Sequence, residues 1–453
     1  MAMFDLHRRK FLFAAATTGV GAMGSSVGGS LTAAVPGAHP AHSPGLNAHS
    51  VREFGAVGDG QHDDTDAIQK TLDHADKQGG GIVFLPRGQY LIGGSLHIAP
   101  DVVLEGSFRG PVSHVQAEIF PGPISHQNPR RGTMLLATRD KGTDRGQAFI
   151  TMENNSCLAG VCIYYPNQNR VSRPVPYPWT IRMRGVNCTV DNVELLNPWQ
   201  GINATGASRH LIRNVVGQPL KTGIYVDNCQ DCGRIENVHF IPIWCQSQST
   251  RELMFHEGEA FVFGRSDQQY VLDSFSLCYH AGFRFIETKS GVCYGSFLGI
   301  GADASWHALV IEQTRFPGLL ITNGLFASFN AWSLPGHRID PVQVVVSPSF
   351  HGTVRFVNCS FWEQPRHVAR VAGSGTVGFS DCRFSAGTAD TPVLDVDSGS
   401  ILINGCEFQQ KAKQIRLGKN VRQAVITGNL FDGPIQIDNQ SKVKIDTSSN
   451  NAP

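Results

Sequence analysis

The sequence predicts an all-β fold, a parallel β-helix closed at its N-terminal end by a capping helix. Three observations carry this prediction: a composition rich in Gly and poor in charge, short repeats of about 23 residues, and no helical pattern inside those repeats. Of the 453 residues, 49 are Gly and only 17% are charged, which is typical of a β-rich protein with many tight turns.

Two sets of motifs define the repeat. VDNVEL, IRNVVG and IENVHF place Asn192, Asn214 and Asn237 at spacings of 22 and 23 residues. A second set ends in four Phe residues at spacings of 23, 24 and 23: Phe361, Phe384, Phe408 and Phe431. Alternating apolar residues in these motifs indicate strands with one buried face. A unit of this length cannot bury that face alone, so stacked coils are expected.

One position of the later repeats holds Cys in three successive units: Cys359, Cys382 and Cys406. Free Cys packs as a small apolar residue, so these side chains are expected to form a buried thiol stack. The Phe residues of the same motifs would form an aromatic stack beside it.

The segment SVREFGAVGDGQHDDTDAIQKTLDHADKQGGGIVFLPRGQYLIGGSLHI, from Ser50 to Ile98, predicts the cap. Asp63–Asp64–Thr65 is interpreted as the N-cap of a helix from about Asp64 to Lys77. Its apolar face would contain Ala67, Ile68, Leu72 and Ala75. The four acids Asp59, Asp63, Asp64 and Asp66 are interpreted as shaping a turn and a helix start, with no metal bound.

The motif GAVGDGQHDDTDAIQ…GGGIVFLPRGQYLI resembles the opening of the pectate-lyase-like superfamily, in the branch of rhamnogalacturonases and epimerase-like proteins. The resemblance is strong over Val51 to Gly106. It implies a right-handed parallel β-helix and, most often, action on polysaccharides, but not a particular reaction. The NTD, GHG and RIK motifs of polygalacturonases are absent from the coil region, so no catalytic residue is carried over.

The N-terminal segment resembles a twin-arginine export signal, with Arg8–Arg9 before a short Gly/Ala-rich apolar run. We divide the chain into a signal (1–34), a linker (35–49), one β-helix domain (50–445, with its cap at 50–106) and a flexible tail (446–453). The protein is expected to be exported to the periplasm or secreted, without a membrane span.

Charge and motif content limit the possible partners. The 38 basic and 37 acidic residues nearly cancel, which argues against a nucleic-acid partner. No motif indicates a cofactor or a metal site. The expected partner is a polysaccharide or oligosaccharide, bound by a monomer or a homotrimer.

All six Trp residues fall at or near one junction of the repeat: Trp179, Trp199, Trp244, Trp306, Trp332 and Trp362. A Trp-rich edge suits an extended glycan, although the same rings could pack loops onto the coils. The largest mid-chain insertion, Cys245 to Glu259, lies at this junction, and insertions on one face of a solenoid often build the binding site.

Carboxylates around the insertion are the catalytic candidates. We predict Glu257 or Glu259 as general acid and Asp267 as the partner carboxylate, because glycoside hydrolysis needs two carboxyls across the scissile bond. The predicted substrate-binding residues are Asp227, Trp244, His256, Arg265, Tyr270, Asp303 and Trp306. Of these, Arg265 would bind a substrate carboxylate or hydroxyls.

Two other functions stay open. A polysaccharide lyase would use Tyr270 or Tyr279 as base, with His256, His280 or Arg284 beside the uronate. A non-catalytic glycan-binding protein on the same scaffold is the third hypothesis. A glycoside hydrolase is the leading prediction.

Overall fold

The computed structural model describes residues 47–107, 132–329, 341–363, 365–385, 390–409 and 413–452. The predicted signal (1–34), most of the linker and Trp332 lie outside these residues. The described chain is a right-handed parallel β-helix, as predicted, in which every named strand pairs in parallel with strands of neighbouring coils.

The strands form three sheets that run along the coil axis. Sheet 1 contains β1 (Ala48–Ser50), β3 (Gly81–Phe84), β6 (Val102–Glu105), β9 (Cys157–Ala159), β18 (Gln269–Leu272), β21 (Gly295–Leu298), β24 (Leu319–Thr322), β27 (Thr353–Val357) and β30 (Thr376–Ser380). Sheet 2 contains β2 (Asp59–Asp63), β4 (Gly88–Ile92), β7 (Thr133–Ala137), β10 (Cys162–Tyr164), β19 (Phe275–Leu277), β22 (Gly301–Asp303), β25 (Leu325–Ala327), β28 (Ser360–Trp362), β31 (Arg383–Phe384), β33 (Glu407–Phe408) and β35 (Leu430–Phe431).

Sheet 3 contains β5 (Leu96–Ile98), β8 (Ile150–Met152), β11 (Trp179–Met183), β13 (Gln200–Asn203), β15 (Thr222–Val226), β17 (Glu259–Phe263), β20 (Ala281–Phe285), β23 (His307–Ile311), β26 (Val342–Val346), β29 (His367–Val371) and β36 (Ile437–Asn439). Five longer strands bend between sheets. From sheet 1 into sheet 2 run β12 (Thr189–Leu195), β14 (Leu211–Gly217) and β16 (Arg234–Phe240). From sheet 3 into sheet 1 run β32 (Leu394–Asn404) and β34 (Ile415–Thr427).

The repeated Asn residues make the turn from sheet 1 to sheet 2. Asn192, Asn214 and Asn237 have φ values of 53°, 54° and 50°, a left-handed conformation that Asn tolerates better than most residues. Their side chains join the coils, because Asn237 Nδ2 donates to Asn214 Oδ1 at 2.9 Å. In these three coils the chain therefore passes from sheet 1 to sheet 2 through a single residue.

The interior is filled by aligned apolar side chains. The ring centroids of Phe361 and Phe384 are 5.4 Å apart, and those of Phe408 and Phe431 are 4.7 Å apart. The three Cys of the same repeats are all buried, and each thiol donates to a backbone carbonyl. The predicted aromatic and thiol stacks are both confirmed.

The cap contains a 3-10 helix, Val51–Phe54, and the helix α1, Thr65–Lys77, which contacts strands β1, β3, β5 and β6. Ile68, Leu72 and Ala75 are buried on its inner face, as predicted. The predicted capping role of Asp64 is wrong, because its carboxylate accepts from the amides of Val57 and Gly58 at 2.5 and 2.9 Å and makes no cap bond to the helix. Asp63 instead accepts from the Thr65 amide at 3.0 Å.

The two ends of the domain differ from the predicted boundaries. Residues 48–49, assigned to the linker, belong to β1, which pairs with β3. The predicted flexible tail contacts the last coil, where Phe431 donates its amide to Asn451 at 2.9 Å and Asn429 Nδ2 donates to Asn450 Oδ1 at 2.9 Å. None of the helices in the described ranges is both long and apolar enough to span a membrane.

Candidate active site

The outer face of sheet 3 is the floor of a groove, which we call the sheet 3 groove. Side chains that alternate with buried ones face outward along it, among them Tyr225, Glu259, Arg284, Val310 and Arg370. The connections 165–178 and 241–258 are long, and both join sheet 2 to sheet 3. They can therefore build walls beside this sheet.

One wall is built by the predicted insertion. It folds into helix α2, Gln248–Glu257, whose Thr250, Leu253, Met254 and Phe255 are buried. The loop between β10 and β11 packs against it: Ser249 Oγ donates to the Val171 carbonyl, and the Cys245 thiol donates to the Arg170 carbonyl at 3.3 Å. The insertion thus forms an ordered element beside the groove.

Two carboxylates meet at one guanidinium in the groove floor. Arg284 donates Nε and Nη2 to Glu312 Oε1 at 2.8 and 2.6 Å, and donates Nη1 to Glu259 Oε1. The bound oxygens of Glu259 and Glu312 are thus within roughly 8 Å of each other, because bonds of about 2.8 Å flank a guanidinium about 2.3 Å wide. Separations up to this bound include both the retaining and the inverting geometry of glycoside hydrolases.

The carboxylates of Glu259 and Glu312 stabilise the positive charge of Arg284. Burial opposes the charge, but the hydrogen bonds and charges of Glu259 and Glu312 outweigh it and raise the pKa of the guanidinium above its usual value. The side chains of Glu259, Arg284 and Glu312 are 21%, 36% and 31% exposed, so a ligand in the groove can reach them.

Glu257, the other predicted general acid, lies at the end of α2. It accepts from Arg173 Nη2 at 2.7 Å and from Lys221 Nζ at 3.3 Å. The hydrogen bond from Arg173 lowers the pKa of Glu257, with Lys221 acting in the same direction against partial burial. A general acid must hold a proton near the working pH, so these contacts fit an ion pair that anchors α2.

Asp267, the predicted partner carboxylate, is not brought together with Glu257 and Glu259. Glu259 begins β17 and Asp267 follows its end, and the five-residue strand alone spans roughly 13 Å. Asp267 accepts from Arg315 Nη2 at 2.5 Å and lies 3.4 Å from Arg265 Nη2. The predicted pair of Glu257 or Glu259 with Asp267 is therefore not assembled.

Three further predicted substrate-binding residues lie with Asp267 on that side. Asp227 is buried and accepts from the Arg265 amide at 2.8 Å and from Thr288 Oγ1 at 2.9 Å. Arg265 is paired with Asp267, and Tyr270 faces outward from sheet 1, away from the groove floor. The predicted exposure of Asp227 to substrate is wrong, because its carboxylate is used to hold two loops.

The row of Trp residues at one junction of the repeat is only partly exposed to solvent. Five of the six Trp residues are described, and all five lie at the junction from sheet 2 to sheet 3, as predicted. Trp199 and Trp244 are only 6% and 5% exposed, and the Arg170 guanidinium covers the Trp244 ring at 5.7 Å. Trp244 therefore packs a loop and does not present a face to a sugar.

Trp306 lies at the centre of a cluster of aromatic and imidazole rings. Its ring stacks on Phe255 at 5.8 Å and meets His256 and His280 edge-on at 5.3 Å each. His307 Nδ1 donates to the Val342 carbonyl at 2.8 Å, and burial lowers the pKa of His307 to about 4. Since a carbonyl only accepts, Nδ1 carries the proton and Nε2 is the basic atom.

Asp303, a predicted substrate-binding residue, ends β22 three residues before Trp306. Burial raises the pKa of its carboxyl above the usual value, and Oδ1 is buried with no hydrogen-bond partner among the described residues. Asp303 therefore holds its proton to a higher pH than a free carboxyl does. It is a secondary candidate for a proton donor.

The groove continues past His307 into an open cavity of about 530 Å³. Val345, Arg370 and Asp395 lie in one register on successive coils, and Arg416 follows on the next. Arg416 binds Asp395, whereas the guanidinium of Arg370 has no ion-pair or hydrogen-bond partner within the described ranges. No group of three or more His, Cys, Asp or Glu side chains in those ranges is arranged to hold a metal ion.

Glu312 was missed by the sequence analysis. It directly follows the strand motif ALVI, and Arg284 occupies the outward position of the motif GFRFIE one coil earlier. In the strand register Arg284 pairs with Val310, two residues before Glu312, so an alignment of the two repeats does not place the two charges at one position.

Comparison with known proteins gives relatives over part of the chain. Alginate lyase 7 of Azotobacter vinelandii is 56% identical over 114 residues, which cover 24% of this chain and 13% of the lyase. Mannuronan C5-epimerase AlgE3 of the same organism is 53% identical over 139 residues, which cover 28% of this chain and 7% of the epimerase. The matches thus span a small fraction of each relative's length.

Solved structures share the fold. A mutant tailspike protein of E. coli bacteriophage HK620, solved with a hexasaccharide, superposes with a TM-score of 0.52 at 12% identity, over 90% of this chain and 78% of the tailspike. The family model described as rhamnogalacturonase A/epimerase, pectate lyase-like, matches residues 48–283, which is just over half of the chain. The chain therefore belongs to the rhamnogalacturonase A/epimerase family of pectate lyase-like proteins.

Proposed function

We propose that this protein is a carbohydrate-active enzyme that binds a polysaccharide in the sheet 3 groove and hydrolyses it with Glu259 and Glu312. The observation that carries the proposal is the pair of carboxylates on either side of Arg284 in the groove floor. Relatives named as an alginate lyase and a mannuronan epimerase support a glycan as substrate.

Hydrolysis requires one of the two carboxyls to donate a proton and the other to act as base or nucleophile. Arg284 bridges both carboxylates through its hydrogen bonds. A sugar hydroxyl that takes one hydrogen bond of Arg284 weakens its hold on one carboxylate, and the nearby negative charge of the other favours uptake of a proton from solvent there. The released carboxyl then becomes the acid.

A polysaccharide lyase is the second candidate, favoured by the 56% identity to alginate lyase 7 over its matched segment. The groove offers His307 as base, since its lowered pKa keeps it neutral at pH 7, and the free guanidinium of Arg370 as partner for a uronate carboxylate. The earlier lyase candidate Tyr279 fits poorly, because its buried hydroxyl donates to the Pro219 carbonyl at 2.7 Å and burial raises its pKa well above the usual value.

The test is a screen of the purified protein against neutral and acidic polysaccharides, with new reducing ends and unsaturated uronate products measured separately. We expect new reducing ends without unsaturated product, and a loss of kcat of about a hundredfold or more in Glu259→Gln and in Glu312→Gln. Glu257→Gln is the matched control and should keep its activity.

Three outcomes would contradict the hydrolase proposal. Full activity in both Glu259→Gln and Glu312→Gln would remove these residues from the reaction. An unsaturated product that disappears in His307→Gln would select the lyase. Glycan binding without any product would select a non-catalytic glycan-binding protein.

A further inference from the structure

An open cavity of about 360 Å³ lies on the outer face of sheet 1, which is a different face from the sheet 3 groove. We call it the sheet 1 cavity. It is lined by Gln268, Tyr270, Tyr294, Gly295, Ser296, Pro317, Gly318, Leu319, Leu320 and Arg355. One row of outward side chains crosses it on four successive coils: Tyr270, Ser296, Leu320 and Arg355.

The sheet 1 cavity exists because small residues lie between large ones along its floor. Ser296 separates Tyr270 from Leu320 in the row. Gly295 is tightly enclosed, since a Cβ there would be 2.0 Å from the Gln269 carbonyl oxygen, and Gly318 has a φ of +106°. These positions keep the cavity floor low between two bulky side chains.

The wall of the cavity is an aromatic ring that is held in place. The guanidinium of Arg315 lies over the Tyr294 ring, 5.0 Å from its centroid. Asp267 fixes Arg315 by accepting from its Nη2 at 2.5 Å, and Arg265 pairs with the same carboxylate. The predicted site residues Arg265 and Asp267 thus position Tyr294 and have no contact with the groove carboxylates.

Gln268 accepts from the Cys232 thiol, but the other polar side chains of the cavity have no hydrogen-bond partner among the described residues. The Arg355 guanidinium, the hydroxyls of Tyr270 and Tyr294, and Ser296 Oγ make no hydrogen bond or ion pair within the part of the chain that the structure describes. The absent side chain of Gly378 gives the Arg355 guanidinium room, since a Cβ there would be 2.4 Å from Nη1. Leu320, 43% exposed, supplies an apolar surface.

We propose that the sheet 1 cavity is a second, non-catalytic carbohydrate-binding site that takes one acidic sugar residue of a glycan chain. Tyrosine rings and Leu320 suit the apolar face of a sugar ring, and the hydroxyls suit its hydroxyl groups. The unpaired planar guanidinium suits a carboxylate, which it binds with two parallel hydrogen bonds. The site binds without cleaving, and it does not depend on the chemistry proposed for the groove.

The test uses isothermal titration calorimetry of the intact protein with trigalacturonate, and with maltotriose as the neutral probe. Glu259→Gln is the background, so that turnover does not interfere. Arg355→Gln removes the cation, and Leu320→Glu places a negative charge in the cavity. Leu298→Glu is the matched control, because Leu298 lies on the same face at 42% exposure but does not line the cavity.

We expect trigalacturonate to bind more tightly than maltotriose. Arg355→Gln and Leu320→Glu should each weaken one class of trigalacturonate sites by about tenfold or more, and Leu298→Glu should not. Wild-type affinity and stoichiometry in both cavity variants would overturn the proposal. The groove proposal is tested by a different measurement: it fails if turnover is unchanged in Glu259→Gln and Glu312→Gln.

Discussion

Arg173 donates a hydrogen bond of 2.7 Å to Glu257, although the two residues are 84 positions apart in the sequence. The bond joins the loop before β11 to the last turn of α2, so two loops that wall the groove are fastened to each other. The Glu257 carboxylate is therefore already paired with a cation, and its role is to stabilise the groove wall.

Glu257→Gln should leave activity unchanged and lower the free energy of unfolding by less than about 1 kcal/mol at pH 7, because the ion pair is largely exposed. The pKa of Glu257 is lowered, so its contribution to stability is present above its usual value of 4.5 and is lost as the pH falls through the lowered value. Denaturant titrations of both proteins at pH 7 and pH 3 should show a larger difference at pH 7 than at pH 3. An inactive but stably folded variant would contradict this role.

Replacement of Arg284 should change the pH dependence of activity. In Arg284→Met the carboxylates of Glu259 and Glu312 lose their shared cation, so their mutual repulsion disfavours the state in which both are charged. We expect the acid limb of the kcat profile to move to higher pH, with at least tenfold lower kcat at its optimum. Arg284→Lys, which keeps the charge, should retain a profile closer to wild type. Identical profiles for the wild type and Arg284→Met would separate this ion pair from the reaction.

The aromatic stack should dominate the stability of the last coils. Phe361 is fully buried between Phe326 and Phe384, so Phe361→Ala should lower the free energy of unfolding by about 3–5 kcal/mol. Trp362 is the next residue but faces outward and is 37% exposed, so Trp362→Ala should cost about 1 kcal/mol or less. Guanidinium denaturation curves of the two variants check the contrast, and equal losses would contradict the inward and outward assignment.

His210 should make the fold sensitive to acid. It is fully buried, its Nδ1 contacts the Ala207 carbonyl at 2.8 Å, and burial lowers its pKa to about 4. The unfolded chain takes up a proton near the usual value of 6.5, so stability falls as the pH drops from 6.5 towards 4, by about 3 kcal/mol. His210→Gln should be less stable at pH 7 but lose this part of the pH dependence. His62→Gln, at an exposed position, is the control, and the same slope in both variants would contradict the assignment.

The fold was predictable because its sequence pattern repeats along the chain. Asn192, Asn214 and Asn237 occupy equivalent turns, and each coil repeats the same short-range pattern of buried residues. The cap was also predictable as an element, since the apolar face of α1 is local in sequence. The role of Asp64 was not predictable. Its partners Val57 and Gly58 precede it in a turn, and the apolar pattern of the helix does not predict the geometry of that turn.

The groove pair was harder to predict because it depends on register between coils. Glu259, Arg284 and Glu312 are separated by 25 and 28 residues, and these intervals differ from the regular repeat because the loops between strands vary in length. Sequence proximity instead favoured Glu257, Glu259 and Asp267, which lie around one strand but at opposite ends of it. Only the strand pairing shows which side chains share a face.

The one-residue Asn turn between sheets 1 and 2 sets where this scaffold tolerates change. In the coils of Asn192, Asn214 and Asn237 the strand bends at one left-handed residue, so an insertion there would break the side-chain contacts between these successive turns. The connections around sheet 3 have no such constraint and already accommodate a helix. Loop grafting or library design directed at new glycans should therefore be confined to those connections, with the back of the coil left untouched.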